Sequence, residues 1–173
     1  KILSEIIEEH FEDPIIKLSK GSESISLEFK ATFKTPIEKK KPPNILKHSA
    51  IKTIAAFANT KGGDLLIGVS DHNEIIGIEV DKYKNTDAFI RGLTRDTQNQ
   101  LFPDPMSIPD LVTITHVEID GKTICRVHVE PATRPIFSIF QGNEMLYKRY
   151  PASSEPLSTI EMVRYIKERF PDY

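Results

Sequence analysis

The stretch that decides the fold is Ala55-Ala-Phe-Ala-Asn59-Thr-Lys-Gly62-Gly63-Asp-Leu-Leu-Ile-Gly68-Val69. Its first part continues an apolar helical pattern that begins after Asn44, a residue able to cap a helix. The glycine pair has the position that glycines usually take at a helix C-terminus. The apolar run over 65–69 is typical of a short central strand. The sequence therefore predicts a helix over 44–59 that leads directly into a strand inside a sheet.

Upstream of this stretch, alternating apolar residues predict a strand over 24–34. One face of that strand would carry Ile25, Leu27, Phe29, Ala31 and Phe33. The segment 35–43 contains three prolines and three consecutive lysines, so it is predicted to be a loop. Apolar residues at helical spacing predict a short amphipathic helix over 2–12, before Pro14.

Downstream, the pattern predicts a strand over 75–80, a helix over 87–101 and a strand near 145–150. Two further strands, 111–119 and 122–130, are joined by Asp120-Gly121, a pair favoured in two-residue hairpin turns. That turn sets a register with His116 opposite Cys125 and with His128 on the other face. Ser158 and Glu161 have capping-box spacing at the start of a last helix within 157–170. We expect one α+β domain over 1–173, with a mixed sheet of five or six strands packed against helices.

Composition narrows the class of protein. The chain has 173 residues, about one ordinary domain, and a net charge of −2. A single cysteine excludes an intramolecular disulfide and a cysteine-based zinc site. No apolar run approaches the roughly 20 residues that a membrane-spanning helix needs, and no signal peptide opens the sequence. We therefore expect a cytoplasmic protein without a membrane span.

Positive charge is concentrated between Lys30 and Lys61. That segment holds eight lysines against one acid, Glu38, and the lysines are Lys30, Lys34, Lys39, Lys40, Lys41, Lys47, Lys52 and Lys61. A basic stripe in a mildly acidic protein is typical of a surface that binds phosphates. A flexible, solvated lysine-rich loop is the other interpretation.

Three acids could converge near this stripe. Glu23 and Glu28 flank the predicted first strand, although their spacing requires Glu23 to lie in a loop or at a bulge. Asp71 follows the next strand. Such a cluster could hold one or two divalent cations that activate water for phosphodiester cleavage. The alternative is that all three are ordinary edge, strand and turn acids.

Other chemistries are less favoured. No Walker A sequence and no G-x-G-x-x-G pattern is present, so ATP binding is not expected. Cys125 and His116 could form a nucleophilic pair. However, Cys125 lies among valines of the same strand and is predicted to be a buried thiol.

The residues Glu23 to Lys30, the stretch 55–71, Ile76-Gly-Ile and Tyr147-Lys-Arg149 together resemble the Schlafen AlbA-type domain, over about 22–150. The resemblance implies nucleic-acid binding and, as in the animal Schlafens, a metal-dependent endoribonuclease that acts on structured RNA such as tRNA. It places the catalytic and metal-binding acids on Glu23, Glu28 and Asp71, with Mg²⁺ or Mn²⁺ as cofactor. It also implies that Lys30 and Arg149 are phosphate contacts, beside those expected from the stripe at Lys34, Lys39, Lys40, Lys41, Lys47 and Lys52.

Two features of this chain differ from the animal pattern. Those members combine two related lobes into a clamp, so this chain would need a homodimer or a second lobe to form a comparable groove. The segment Tyr150-Pro-Ala replaces a small, glycine-containing turn. A non-catalytic DNA- or RNA-binding module of a transcriptional regulator is therefore the main alternative. A protein-interaction domain that uses the apolar faces of the terminal helices is the third.

Overall fold

The computed structural model of the chain describes residues 12–37, 41–102 and 108–173, which form an α+β fold. The helices are α1 (Pro14–Ser19), α2 (Pro43–Asn59), α3 (Thr86–Gln100), α4 (Ile108–Leu111) and α5 (Thr159–Arg169), with a 3-10 turn at Ile78–Asp81. The strands are β1 (Leu27–Lys30), β2 (Gly63–Ile67), β3 (Leu101–Phe102), β4 (Val112–Ile119), β5 (Lys122–Val129), β6 (Phe137–Phe140), β7 (Asn143–Tyr150) and β8 (Ser153–Pro156). The predicted class, a mixed sheet packed with helices, is confirmed. The strands are divided between two four-stranded sheets instead of forming one sheet of five or six.

The first sheet has the strand order β1-β2-β5-β4 and is mixed. Strand β1 runs parallel to β2, whereas β2, β5 and β4 pair antiparallel. The hairpin turn has φ of 51° at Asp120 and 75° at Gly121, as a two-residue turn with two left-handed positions requires. The predicted register is confirmed, with His116 opposite Cys125.

The second sheet has the order β3-β6-β7-β8 and is antiparallel throughout. Helix α2 lies between the two sheets, in contact with β2 and β5 of the first and with β6, β7 and β8 of the second. Every residue from Thr53 to Asn59 is buried, because a sheet covers each side of the helix. Helix α2 is therefore open to solvent only over its N-terminal half and at Lys52. Within the described ranges, no helix is long and apolar enough to cross a membrane.

Two predicted strands differ from the structure. Of the predicted strand 24–34, only β1 forms a strand. Phe29 packs in the cluster under α1, whereas Phe33 packs in the main core beside α2, so the two rings do not share one face. The prediction of a strand over 75–80 is wrong. This segment makes a single β-bridge, between Val69 and Ile75, and then enters the 3-10 turn at Ile78. The predicted helix 2–12 lies outside the described residues, apart from residue 12.

Gly63, at the start of β2, and Gly68, just after its end, lie where a larger side chain would not fit. A Cβ on Gly63 would lie 2.7 Å from the Phe57 ring and 2.8 Å from the carbonyl oxygen of Ser26. Gly68 has a φ of 98°, and a Cβ there would lie 2.9 Å from the carbonyl oxygen of Thr123. Both positions therefore exclude larger side chains. They let β2 pass close to its neighbours on both sides.

Candidate functional site

Glu28 lies on β1 with its carboxylate between two cationic side chains. One carboxylate oxygen, Oε1, is paired with the ammonium group of Lys30. The other, Oε2, lies 2.8 Å from Arg149 Nη2. The residue is buried, 8% exposed, so both contacts act in a medium that screens charge less than water. The negative charge of Glu28 is already balanced from two sides.

Arg149 is the most deeply buried of the predicted site residues, 1% exposed. Its Nη2 donates to the carbonyl oxygens of Ser24 at 2.6 Å and Leu27 at 3.1 Å, and its Nη1 donates to Ser154 Oγ at 3.2 Å. Its guanidinium carbon lies 5.1 Å from the centre of the Phe57 ring. These contacts join β7 and β8 to the segment around β1. In this structure the guanidinium links the two sheets and is not accessible to a phosphate.

The other two predicted catalytic acids have separate positions. Glu23 Oε1 accepts a hydrogen bond from the backbone N–H of Phe29 at 2.9 Å, so it lies against β1 from the preceding loop. Asp71 is exposed in the turn after β2. Across the part of the chain that the structure describes, no group of three or more His, Cys, Asp or Glu side chains could hold a metal ion. The three acids do not fit a divalent cation in this arrangement, and cleavage stays a prediction.

The predicted lysine contacts fall into two groups. Lys30 and Lys47 have acidic partners, since Lys47 Nζ lies 2.6 Å from Asp96 Oδ2. Within the described ranges, ion pairs are absent at Lys34, Lys41, Lys52 and Lys61. Lys39 and Lys40 lie outside the described residues. The unpaired lysines extend from the segment after β1, at Lys34, to just past the end of α2, at Lys61. Helix α2 is about 25 Å long.

Two of these ammonium groups lie over aromatic rings. Lys34 Nζ is 3.9 Å from the centre of the Tyr83 ring, and Lys52 Nζ is 5.9 Å from that of Tyr147. Cation–π contacts position an ammonium group without neutralising its charge, unlike a carboxylate partner. Lys34 and Lys52 therefore keep a positive charge that an incoming phosphate can use.

His48, on α2, adds no positive charge to this surface. Its ring stacks on Phe140 with centroids 3.9 Å apart, and its two nitrogens contact Tyr147 Oη at 3.1 Å and Gln100 Nε2 at 2.7 Å. Burial lowers the pKa of His48, and the nearby charge of Lys52 lowers it further, against an opposing effect of the Gln100 contact. A polar groove of about 280 Å³ opens next to it, bordered by Lys47 and Asp96.

Asp81 was not identified from the sequence, yet it orders the start of the lysine-rich segment. The carboxylate is fully buried in the 3-10 turn and accepts hydrogen bonds from three consecutive backbone N–H groups. The donors are Phe33 at 2.7 Å and Lys34 and Thr35, each at 2.8 Å. These bonds hold the backbone over 33–35, in the segment after β1, and so fix the position of Lys34. An aspartate followed by a lysine carries no sequence signal for such a contact 48 residues away.

Comparison with known proteins identifies the family. Residues 23–158 match the family model described as Schlafen, AlbA_2. The chain belongs to the Schlafen AlbA_2 family. No curated protein matches it.

Two solved structures are similar to this Schlafen AlbA_2 domain. The DIP2311 protein from Corynebacterium diphtheriae has 21% sequence identity and a TM-score of 0.57 over 83% of this chain. The match spans 27% of that protein, so the chain corresponds to about a quarter of its length. The N-terminal domain of a RecG-related protein from Nitrosomonas europaea has 22% identity and a TM-score of 0.49, over 80% of this chain and 86% of that one. The first of these likenesses shows a shared fold.

The residues that carry the family pattern in this Schlafen AlbA_2 domain have structural roles. Asn59, fully buried, donates to the carbonyl oxygens of Ile136 at 2.8 Å and Tyr147 at 3.0 Å and accepts from the N–H of Ile136 at 2.8 Å. Thr60 Oγ1 accepts from the backbone N–H of Arg149 at 3.1 Å. The end of α2 therefore binds β7 and the segment before β6, and the motif fixes how the second sheet is placed.

Cys125 is predicted to be chemically inert in the folded Schlafen AlbA_2 domain. The side chain is fully buried, and burial raises the pKa of its thiol to about 12, so almost no thiolate forms near neutral pH. Iodoacetamide at pH 8 should leave the native protein unmodified and alkylate it fully after unfolding in urea, as measured by mass spectrometry. Rapid alkylation of the native protein would instead support the nucleophilic pair with His116.

Proposed function

We propose that this domain binds nucleic acid through the unpaired lysines that lie before, on and just after α2. The observation that carries the proposal is that Lys34, Lys41, Lys52 and Lys61 lack acidic partners within the described ranges, in a chain whose net charge is −2. Unpaired ammonium groups can neutralise phosphates and release condensed counterions. Membership of the Schlafen AlbA_2 family supports the same proposal.

The length of α2 suits a polyanion better than a small anion. Its 17 residues span about 25 Å, which corresponds to roughly seven base pairs at 3.4 Å each. Lys41 lies just before the helix, Lys52 on it and Lys61 just after it, so an extended run of phosphates could contact them without one tight pocket. The described contacts give no base-reading arrangement of side chains, so we expect binding that depends on the backbone more than on sequence.

The test is a salt titration of binding. Fluorescence anisotropy with labelled tRNA, single-stranded DNA and double-stranded DNA would give the binding affinity at salt concentrations from about 50 to about 200 mM. Each lysine that contacts a phosphate contributes about 0.7 to 0.9 to the slope of log K against log salt. Replacing Lys34 or Lys52 by glutamine should reduce the slope by about that amount and weaken binding to all sequences alike.

Two substitutions serve as controls. Lys47 already has Asp96 as partner, so Lys47→Gln should change the slope less than Lys52→Gln. Lys167, an exposed residue on α5, lies outside the stripe, and Lys167→Gln should leave the slope unchanged. If all four variants lose affinity equally, the binding is a response to net charge only. If the wild type does not bind at low salt, the proposal fails.

Cleavage of structured RNA such as tRNA is the finer proposal. Its support is the family membership together with the retention of Glu23, Glu28 and Asp71. It requires these acids to leave the contacts described above, since Glu28 is paired with Lys30 and Arg149. Because the acids do not form a metal site in this arrangement, we derive no catalytic step from it. A non-catalytic nucleic-acid-binding module is the alternative that the paired carboxylates favour.

Cleavage is tested by incubating the full chain with labelled tRNA in the presence of Mn²⁺ or of EDTA. Asp71→Asn is the informative variant, because Asp71 is exposed and its replacement should not affect folding. Cuts that need Mn²⁺ and disappear in Asp71→Asn would establish the ribonuclease. Binding without cleavage would identify a binding module.

A further inference from the structure

Strand β4 is an unprotected edge of the first sheet. Within the described part of the chain it pairs only with β5, and its other side has no partner. It is eight residues long and contains no proline, lysine or arginine. Lysine and proline are among the usual means by which proteins prevent edge strands from pairing with other chains, and Glu118 is the one acid on this strand.

The other edges of the two sheets are protected. Strands β1 and β8 have four residues each, β3 has two, and β8 ends in Pro156. Short strands offer few backbone groups to a partner, and proline removes a donor. Among the edge strands that the structure describes, β4 alone is long enough to offer a row of backbone N–H and C=O groups to a partner strand.

An apolar groove of about 230 Å³ lies beside β4, on one face of the sheet. Its walls are Ile90, Leu93 and Thr94 of α3, Val112 and Ile114 of β4, and Val127 of β5. Val112 and Ile114 are only partly buried, so the core continues to this edge and stays open there.

We propose that β4 and this groove form a docking site for an extended segment of another protein with apolar side chains at alternate positions. The segment would add to the sheet beyond β4 and use the free N–H and C=O groups of that strand. Because side chains alternate between the two faces of a strand, every second side chain of the segment would enter the groove. Main-chain hydrogen bonds would give affinity, and the groove would select apolar side chains.

A second copy of this chain fits the groove less well. A two-fold axis that pairs β4 with itself in one continuous sheet keeps equivalent residues on the same face. In registers that pair nearly the whole strand, Ile114 then lies opposite His116 or Glu118 of the second copy. A polar or charged side chain would therefore stand at the mouth of an apolar groove.

The proposal is tested with two labelled nine-residue peptides of identical composition. One has valine at alternate positions, threonine or serine between them and lysine at both ends, and the other has the same residues with the alternation scrambled. Fluorescence anisotropy with the full chain should give an affinity at least tenfold higher for the alternating peptide. Hydrogen exchange of the β4 amides should slow when that peptide is bound.

Substitutions on β4 and α3 locate the site. Ile114→Glu places a charge at the groove and should weaken peptide binding at least tenfold, whereas Thr115→Glu, exposed on the opposite face of the same strand, should change it less than threefold. Thr94→Leu keeps β4 intact and narrows the groove from the helix side, so it should also weaken binding even if Ile114→Glu fails to fold. All variants should bind nucleic acid as the wild type does.

Three results would overturn the proposal. Equal binding of the two peptides would mean that alternation is not recognised. An equal loss of binding in Thr115→Glu and Ile114→Glu would place the peptide elsewhere. A dimer by light scattering, with β4 amides protected in the absence of peptide, would make a second copy the occupant.

Discussion

Replacing Arg149 by alanine should destabilise the domain by about 4 kcal/mol, because removing one partner of a buried ion pair leaves the other charge uncompensated. The loss includes the pair with Glu28 and the hydrogen bonds to the carbonyl oxygens of Ser24 and Leu27. Without the guanidinium, the Ser24 carbonyl would lose both of its arginine donors, and within the described ranges the Leu27 carbonyl would keep only the Ser24 N–H, and Glu28 would keep only Lys30 as a cationic partner. Urea denaturation followed by circular dichroism measures the change in the free energy of unfolding.

Lys148 provides a matched control for Arg149 on the same strand. It is half-exposed and lies 4.7 Å over the Tyr165 ring, so Lys148→Ala should cost less than about 1 kcal/mol. A double-mutant cycle of Glu28→Gln and Arg149→Met should give a coupling energy of about 1–3 kcal/mol. If Arg149→Ala unfolds at the wild-type urea concentration and yet binds nucleic acid more weakly, Arg149 is a ligand contact and our structural interpretation is wrong.

The ion pair between Glu28 and Arg149 makes Glu28 a poor position at which to test catalysis. Glu28→Ala would leave the buried Arg149 with one partner fewer, so a loss of RNA cleavage in that variant would not separate a catalytic role from unfolding. Asp71 is exposed, and a loss of cleavage in Asp71→Asn at unchanged stability has one interpretation. The structure therefore favours Asp71 over Glu28 as the diagnostic residue.

The parts of the fold that the sequence predicted correctly depend on local interactions. The hairpin register follows from the Asp120-Gly121 turn, and the start of α5 follows from the capping box of Ser158 and Glu161. Helix α2 and strand β2 follow from apolar periodicity interrupted by glycine. In each case the residues that decide the structure are neighbours in the chain.

The parts that sequence analysis did not predict depend on contacts between distant residues. The alternating pattern of 24–34 extends past β1, but the strand ends at Lys30, and the Asp81 carboxylate holds the backbone at Phe33 in another conformation. Arg149 in a Tyr-x-Arg pattern looks like a surface phosphate contact. Its acceptor Ser24 lies 125 positions earlier, and no local signal indicates that the guanidinium is buried.

Replacing Asp81 by alanine should lower the free energy of unfolding by about 4 kcal/mol. The reason is that three buried or partly buried backbone N–H groups would lose the charged acceptor that they share. Asp81→Asn keeps one oxygen acceptor and should cost about half as much. The exposed Asp71→Asn is the control and should change the free energy of unfolding by less than about 0.5 kcal/mol. Since the same bonds fix Lys34, the Asp81 variants should also bind nucleic acid more weakly under conditions where they remain folded. Unchanged urea midpoints for Asp81→Ala would show that the 33–35 turn is stable without its carboxylate, and the position of Lys34 would then need another cause.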